Sequence, residues 1–187
     1  MLVLGLDPSL RNWGIAYGWL DLNTGELTDL HLDVIQVKDD TSKQVRKNSK
    51  DLHIAQSLFE GVLPYAKEAK FIFVEVPIGS QSARAMASYG ICVGVLGSLR
   101  ASGYTLVEVT PSEVKMAFTG DKEASKHKMI TAAMSYYPDT NWPMQLQKGV
   151  NRVIESKAEH MADAIASIHA GVQTPLFTQT LQVLKGM

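Results

Sequence analysis

The sequence predicts an α/β fold built on a five-stranded mixed sheet with helices on both faces. Three apolar, strand-like runs follow one another at the start of the chain, which predicts an antiparallel meander. Two further strand patterns then alternate with runs of helical periodicity, which predicts parallel strands joined by helical crossovers. The chain continues into helical patterns, and the predicted order of elements is βββαβαβααα.

Length and composition exclude several classes of protein. The 187 residues fit a single domain, which we expect over residues 1–171 with a C-terminal tail over 172–187. With 45% hydrophobic and 20% charged residues, the chain is not disordered, collagenous or a coiled coil. Cys92 is the only cysteine, which excludes a disulfide framework and a Cys-rich zinc site and is typical of a reducing cytosol. No apolar run approaches the roughly 18 residues of a membrane span, and we expect no membrane partner.

The first three strands are predicted from apolar runs and the turns between them. Residues 2–6 form a buried strand that ends at Asp7-Pro8, because proline cannot donate to a strand ladder. A second strand follows over 13–20. Turn-forming Asn23-Thr24-Gly25 separates it from a third strand over 27–37.

The middle of the chain alternates between helix and strand. Apolar residues at helical spacing predict a helix over about 52–66, which Pro64 should kink or end. The runs 71–76 and 104–109 predict strands, and the small and apolar residues of 80–101 predict a helix between them.

Helices dominate the last third. Thr110, with proline next and glutamate three residues on, is a capping box that begins a short helix. Further helices are predicted over about 123–136 and 155–170. The proline- and asparagine-rich segment 138–154 is predicted to be irregular, and the residues from 172 onward are not assigned to any element.

Three carboxylates occupy unusual positions in this pattern. Asp7 and Glu75 each end a buried strand, and Asp163 lies on the last helix with His160 three residues before it. Helical geometry places His160 and Asp163 together, opposite the apolar stripe. If this helix crosses the strand ends, these four side chains meet. Carboxylates gathered in this way stay ionised only beside a cation, and oxygen-rich sites suit Mg²⁺ or Mn²⁺. Two such ions are suited to phosphodiester hydrolysis.

Each of these residues also has an ordinary structural explanation. An aspartate before proline often forms a turn, as Asp7 could, and Glu75 could be a solvated strand end. His160 could be a surface histidine. Only the joint arrangement favours a metal-dependent nuclease.

Four segments together resemble the RuvC family of Holliday junction resolvases, which has an RNase H-like fold. The resemblance is spread over residues 1–171. Its segments are Leu4-Gly5-Leu6-Asp7-Pro8-Ser9 with Trp13-Gly14; Phe73-Val74-Glu75; Thr110-Pro111-Ser112-Glu113-Val114-Lys115 with Gly120 and Ala124-Ser125-Lys126; and Glu159-His160-Met161-Ala162-Asp163-Ala164-Ile165-Ala166.

The resemblance implies roles for five catalytic residues. Asp7, Glu75 and Asp163 become the metal-binding carboxylates, His160 a fourth ligand or orienting group, and Lys126 the basic residue near the scissile phosphate. It further implies a homodimer that resolves four-way or other branched DNA by symmetric nicks, leaving 5′-phosphate and 3′-hydroxyl ends. Two Mg²⁺ ions per site are expected, with Mn²⁺ also effective, and no nucleotide cofactor.

The net charge of −1 requires that any DNA-binding charge be local. Many such basic side chains simply solvate a helix face. The candidates for the DNA path are Arg11, Lys43, Arg46, Lys47, Arg84, Lys115, Lys122 and Lys128.

The chain departs from the RuvC pattern in two places. Val76-Pro77-Ile78 stands where members can carry an aromatic that stacks on junction bases, and segment 138–154 is longer than expected. Two other functions stay open, an RNase H-type nuclease acting on RNA or RNA/DNA hybrids and a non-catalytic branched-DNA-binding protein. An actin-like ATPase needs about twice this length. We expect a cytoplasmic protein of a bacterial or phage-infected cell.

Overall fold

The computed structural model describes residues 1–38, 42, 44–79 and 81–185. Within this part of the chain, seven strands and six helices follow one another. They are β1 (Leu2–Asp7), β2 (Asn12–Leu20), β3 (Leu27–Gln36), α1 (Lys47–Glu68), β4 (Phe71–Glu75), α2 (Ala83–Ala101), β5 (Leu106–Val109), α3 (Pro111–Thr119), α4 (Lys126–Tyr136), β6 (Met144–Gln147), β7 (Val150–Val153), α5 (Glu155–Gly171) and α6 (Pro175–Lys185).

The main sheet has the order β3-β2-β1-β4-β5. Strands β1, β2 and β3 pair antiparallel, whereas β4 pairs parallel with both β1 and β5. The predicted mixed sheet is therefore confirmed. None of the helices in the described part of the chain is long and apolar enough to cross a membrane.

Side chains alternate between two hydrophobic cores on the two faces of the sheet. Leu4 and Leu6 of β1 point to one face, which α1 and α2 cover through residues such as Leu58 and Leu99. Val3 points to the other face. That face is covered by α3, α4, α5 and α6, with helix residues Val114, Met129, Ile165 and Phe177 in its core.

Of the two outcomes predicted for Pro64, a kink or an end of the helix, the second does not occur. Helix α1 continues through Pro64 to Glu68. Proline removes the N–H that would bond the carbonyl of Glu60, but both residues are exposed, so water can satisfy that carbonyl.

Segment 138–154 is not irregular throughout, because β6 and β7 form a separate antiparallel hairpin within it. Lys148 and Gly149 turn the chain with φ of 50° and 79°. Hairpin turns of this kind normally carry Asn-Gly or Asp-Gly, and the strands are short and polar, so the pattern gives little strand signal.

The residues after 172 form a helix that is part of the second core. Phe177 of α6 is 1% exposed. Its ring lies edge-on to Phe71 and Phe73 of β4, with centroids 5.3 and 5.0 Å apart. Helix α6 therefore covers the N-terminal part of β4 on the same face of the sheet as α5.

Candidate active site

Parallel pairing of β1 and β4 brings Asp7 and Glu75 to one edge of the sheet. Leu6 lies opposite Val74, so the next residue on each strand is a carboxylate. Alternation along the strands places Asp7 on the same face as Gly5, and Glu75 on the same face as Phe73. Both carboxylates therefore point to the face that α5 covers.

Helix α5 lies unusually close to β1 and β2 because two strand residues are glycines. A Cβ on Gly5 would stand 2.1 Å from the carbonyl oxygen of Ala164, and one on Gly14 only 1.9 Å from that of His160. No other residue fits at either position. Gly14 also pairs with Asp7 across the strands. These two glycines, which are visible in the sequence, set the distance between the helix and the strand ends.

The close approach pairs His160 with Asp7. Nδ1 of His160 lies 2.6 Å from Oδ2 of Asp7, and the two side chains are only 16% and 14% exposed. Burial disfavours the charged imidazole, but the hydrogen bond and the nearby carboxylates outweigh it and raise the pKa of His160 above its usual value. Contact with Asp7 therefore favours protonation of His160.

Glu75 and Asp163 lie partly buried near this pair and resist ionisation. Burial, with the charges of Asp7 and Asp163, raises the pKa of Glu75 to about 8. Burial and the Asp7 carboxylate likewise raise the pKa of Asp163 well above its usual value. Opposing both shifts, Lys115 of α3 lowers the pKa of each group. Glu75 and Asp163 each respond to the charge of Asp7, and Asp163 and His160 respond to each other.

Glu159 joins the site, although the sequence analysis gave it no role. Its Oε2 binds Nζ of Lys126 at 2.6 Å, and its Oε1 lies 3.7 Å from Nε2 of His160. The hydrogen bond to Glu159 raises the pKa of Lys126. Lys126, the first residue of α4, is thereby held beside α5. The sequence offers one signal for Glu159, its place directly before His160.

The other predicted DNA-binding residues are distributed over several surfaces. Lys115 lies at the site itself, whereas Lys128 pairs with Asp121 at 2.7 Å and Lys47 with Asp51 at 3.1 Å. Lys43 lies outside the described residues. Partly buried Arg11 and exposed Arg46, Arg84 and Lys122 stand on loops or first helical turns.

The donor set suits a divalent cation, although the side chains are not arranged as a ligand shell. In the described part of the chain, no three His, Cys, Asp or Glu side chains stand together as a ready metal site. Asp7 and His160 bond to each other instead of converging with Glu75 and Asp163. Carboxylate and imidazole side chains are nevertheless donors of the kind that bind Mg²⁺ or Mn²⁺ in proteins.

Comparison with curated proteins identifies the family. The chain is 31% identical over 140 residues to crossover junction endodeoxyribonuclease RuvC of Anaeromyxobacter dehalogenans (strain 2CP-C), covering 71% of this chain and 68% of that protein. RuvC of Anaeromyxobacter sp. (strain K) is 32% identical over 139 residues, with the same coverage of each chain. The chain belongs to the RuvC family.

Solved RuvC structures have the same fold. Thermus thermophilus RuvC in complex with Holliday junction substrate superposes with a TM-score of 0.60 at 18% identity, covering 97% of this chain and 96% of that one. A second T. thermophilus RuvC structure gives 0.59. No model of a known protein family matches the chain. The predicted RNase H-like fold and RuvC resemblance are both confirmed.

The glycine contact predicts a specific loss of stability. Gly14→Ala should lower the free energy of unfolding by about 1–3 kcal/mol, because its methyl group must displace the backbone of α5 at His160. Gly94→Ala is the matched control, since a Cβ there meets nothing within 4 Å in the middle of α2. That control should gain about 0.5–1 kcal/mol. Urea unfolding measures both, and a Gly14→Ala protein as stable as the parent would contradict the packing described.

The raised pKa of Glu75 predicts that removing its charge stabilises the metal-free protein. A carboxyl with a pKa of about 8 in the native state and about 4.3 in the unfolded chain costs stability as pH rises through that window. Glu75→Gln removes this cost. Its melting temperature in EDTA should exceed that of the parent by at least ~2 °C at pH 8, and by less at pH 5.

The control for this comparison is Glu123→Gln, which changes an exposed glutamate at the end of the α3–α4 loop. Its melting temperature should follow the parent at both pH values. If the melting temperature of Glu75→Gln at pH 8 is no higher than that of the parent, Glu75 ionises there without a loss of stability.

Proposed function

We propose that this protein is a metal-dependent endodeoxyribonuclease that resolves four-way DNA junctions by paired, symmetric nicks. The observation that carries the proposal is the position of Asp7 and Glu75 at neighbouring strand ends beside α5, the helix that carries His160 and Asp163, in a chain of the RuvC family. The curated relatives are named crossover junction endodeoxyribonucleases, and the T. thermophilus RuvC structure contains a Holliday junction.

The metal would be held by the three partly buried carboxylates, Asp7, Glu75 and Asp163, with His160 as a fourth donor. Bound there, Mg²⁺ or Mn²⁺, two per site, would supply charge stabilisation for a phosphodiester and acidify water. The high pKa of Glu75 means that its proton must leave when a cation takes the carboxylate. Cation affinity is therefore expected to rise with pH.

The chain's own residues would position the DNA strand beside this site. Lys126 stands in the first turn of α4, where backbone N–H groups also favour a phosphate. Its link to Glu159 holds it close to His160. Lys115 approaches from α3 on the side of Glu75 and Asp163. The two lysines thus offer cations on either side of the carboxylates.

A homodimer is part of the proposal. Resolving a four-way junction requires two nicks related by the near two-fold symmetry of the substrate, and a two-fold symmetric enzyme supplies two sites in that relation. Exposed Ile78, directly beyond β4, stands where an aromatic is expected in the family. Its side chain is 73% exposed, and in this proposal it contacts unpaired bases at the junction centre.

Loss of the Asp7 charge tests the catalytic role. Asp7→Asn should reduce junction nicking in Mg²⁺ by at least ~100-fold, because it removes a ligand charge and the partner of His160. Labelled four-way, forked and linear DNA, with and without divalent metal, are the substrates. Asp139→Asn, an exposed aspartate away from the site, is the control and should nick at the parent rate.

Nicking by Asp7→Asn at the parent rate would refute the metal role of this residue. Cleavage of RNA/DNA hybrid in preference to four-way DNA would replace the resolvase with an RNase H-type nuclease. Binding of four-way DNA without cleavage in any divalent metal would indicate a non-catalytic binding protein.

His160 predicts the metal preference. An imidazole is a softer ligand than a carboxylate and lowers the negative charge of the donor set, so Mn²⁺ should support nicking at least as well as Mg²⁺. His160→Asp should shift the preference toward Mg²⁺. Titration of both metals measures this, and clearly superior activity of the parent in Mg²⁺ would contradict ligation by His160.

A further inference from the structure

The β6–β7 hairpin stands apart from both hydrophobic cores. Every residue from Met144 to Arg152 is exposed, and only Val153, at the base, is partly buried. Leu146 and Val150 are 74% and 56% exposed. A two-stranded ribbon of this size contributes little to stability on its own. Its exposure calls for a role outside the folding of the domain.

The base of the hairpin is fixed to the body of the protein. The Asn141 side chain bonds the backbone of edge strand β3, accepting from N–H of Leu32 and donating to its carbonyl, both at 2.8 Å. Trp142 is buried and donates to the carbonyl of Tyr137 at 2.9 Å. On the returning strand, the N–H of Ile154 donates to the carbonyl of Pro143 at 2.7 Å. The hairpin is therefore fixed to the protein at its base, and its two strands are exposed along their length.

The hairpin is directly continuous with the helix that carries the site. Val153 is followed by Ile154 and then by α5, so His160 lies six residues, or about 9 Å of helix rise, from the root. Four-residue strands add about 13 Å. The tip thus lies within roughly 22 Å of His160, which corresponds to about six base pairs of duplex.

The charged residues of the hairpin are all basic. Residues 140–154 contain Lys148 and Arg152 and no acidic residue. Within the described part of the chain neither cation has an ion-pair partner, unlike Lys126 and Lys128. Lys148 occupies the turn at φ 50°, a conformation that favours asparagine or glycine, so the chain places a cation at the tip at a conformational cost.

The strand register separates two faces of the ribbon. Met144 and Val153 pair on the face that turns toward the core. The opposite face carries the pairs Gln145–Arg152 and Gln147–Val150. Exposed Met144 and Leu146 lie on the first of these faces with Val153, so the outward face carries a single exposed apolar side chain, Val150. The outward face presents amides and a guanidinium, groups that bond phosphates and base edges.

We propose that the β6–β7 hairpin is a second DNA-binding element, which lays its outward face along a duplex arm of the junction beyond the scissile phosphate. This inference rests on the proposed function. A two-stranded ribbon fits the major groove, which is about 12 Å wide. Lys148 and Arg152 contact phosphates on the groove edges, and the two glutamines lie between them.

The test compares the parent with K148N/R152Q, which removes both charges while asparagine still suits the turn. Affinity for a four-way junction is measured in EDTA from 50 to 200 mM salt, with hydroxyl-radical footprinting of each arm. The variant should bind about 10-fold more weakly at 100 mM salt, and its log–log salt slope should be smaller by about 1.8. The hydroxyl-radical footprint on the duplex arm of the junction, within about six base pairs of the nick, should also be lost in K148N/R152Q.

The matched control is L146A/N151A on the opposite face, which should keep the parent affinity within two-fold and the whole footprint. Melting temperatures of both variants should equal that of the parent, because the hairpin lies outside the cores. An unchanged salt slope and footprint in K148N/R152Q, or an equal loss in the control, would overturn the hairpin proposal alone. Failure of the parent to bind any four-way DNA would overturn it together with the proposed function.

Discussion

The approach of α5 to β1 and β2 is the contact on which the site depends. Gly5 and Gly14 let the helix backbone lie where any Cβ would collide with the carbonyls of Ala164 and His160. Were the helix held farther out by ordinary side chains, the 2.6 Å contact between His160 and Asp7 could not form. Packing of two main chains therefore determines the electrostatics of the site, and these glycines belong to its machinery although they carry no chemistry.

The groups at the site that can carry positive charge offset only part of its negative charge. Four carboxylates, Asp7, Glu75, Glu159 and Asp163, face three groups that can carry positive charge, His160, Lys115 and Lys126. Glu159 pairs with Lys126, and Asp7 with His160. Burial, together with the repulsion from Asp7, raises the pKa values of Glu75 and Asp163. Such a site costs stability in the free protein, and a divalent cation is the kind of ligand that relieves that cost.

Most of the fold could be predicted from the sequence because β1, β2, β4 and β5 are largely apolar and α2, α3 and α4 begin at side-chain caps. The site residues could be placed because strand ends and helix faces follow from periodicity alone. The hairpin and α6 could not be predicted in this way. The hairpin strands are four residues long and polar, and a Lys-Gly turn joins them where Asn-Gly or Asp-Gly is typical. Helix α6 depends on Phe177 meeting Phe71 and Phe73, a contact between residues more than a hundred positions apart.

A net charge of −1 provides no long-range attraction to DNA, so affinity must arise from short-range contacts at fixed places. Some basic residues are unsuited to this, since Lys47 and Lys128 are already paired with acids away from the site. The hairpin differs because neither of its two cations is in an ion pair within the described residues, and because three hydrogen-bonded residues hold its base. Such an arm supplies orientation as well as charge, because it is rigidly continuous with α5. A duplex held along it is aligned with the helix that presents His160 and Asp163, so a phosphate contact far from the carboxylates also determines which phosphate reaches them.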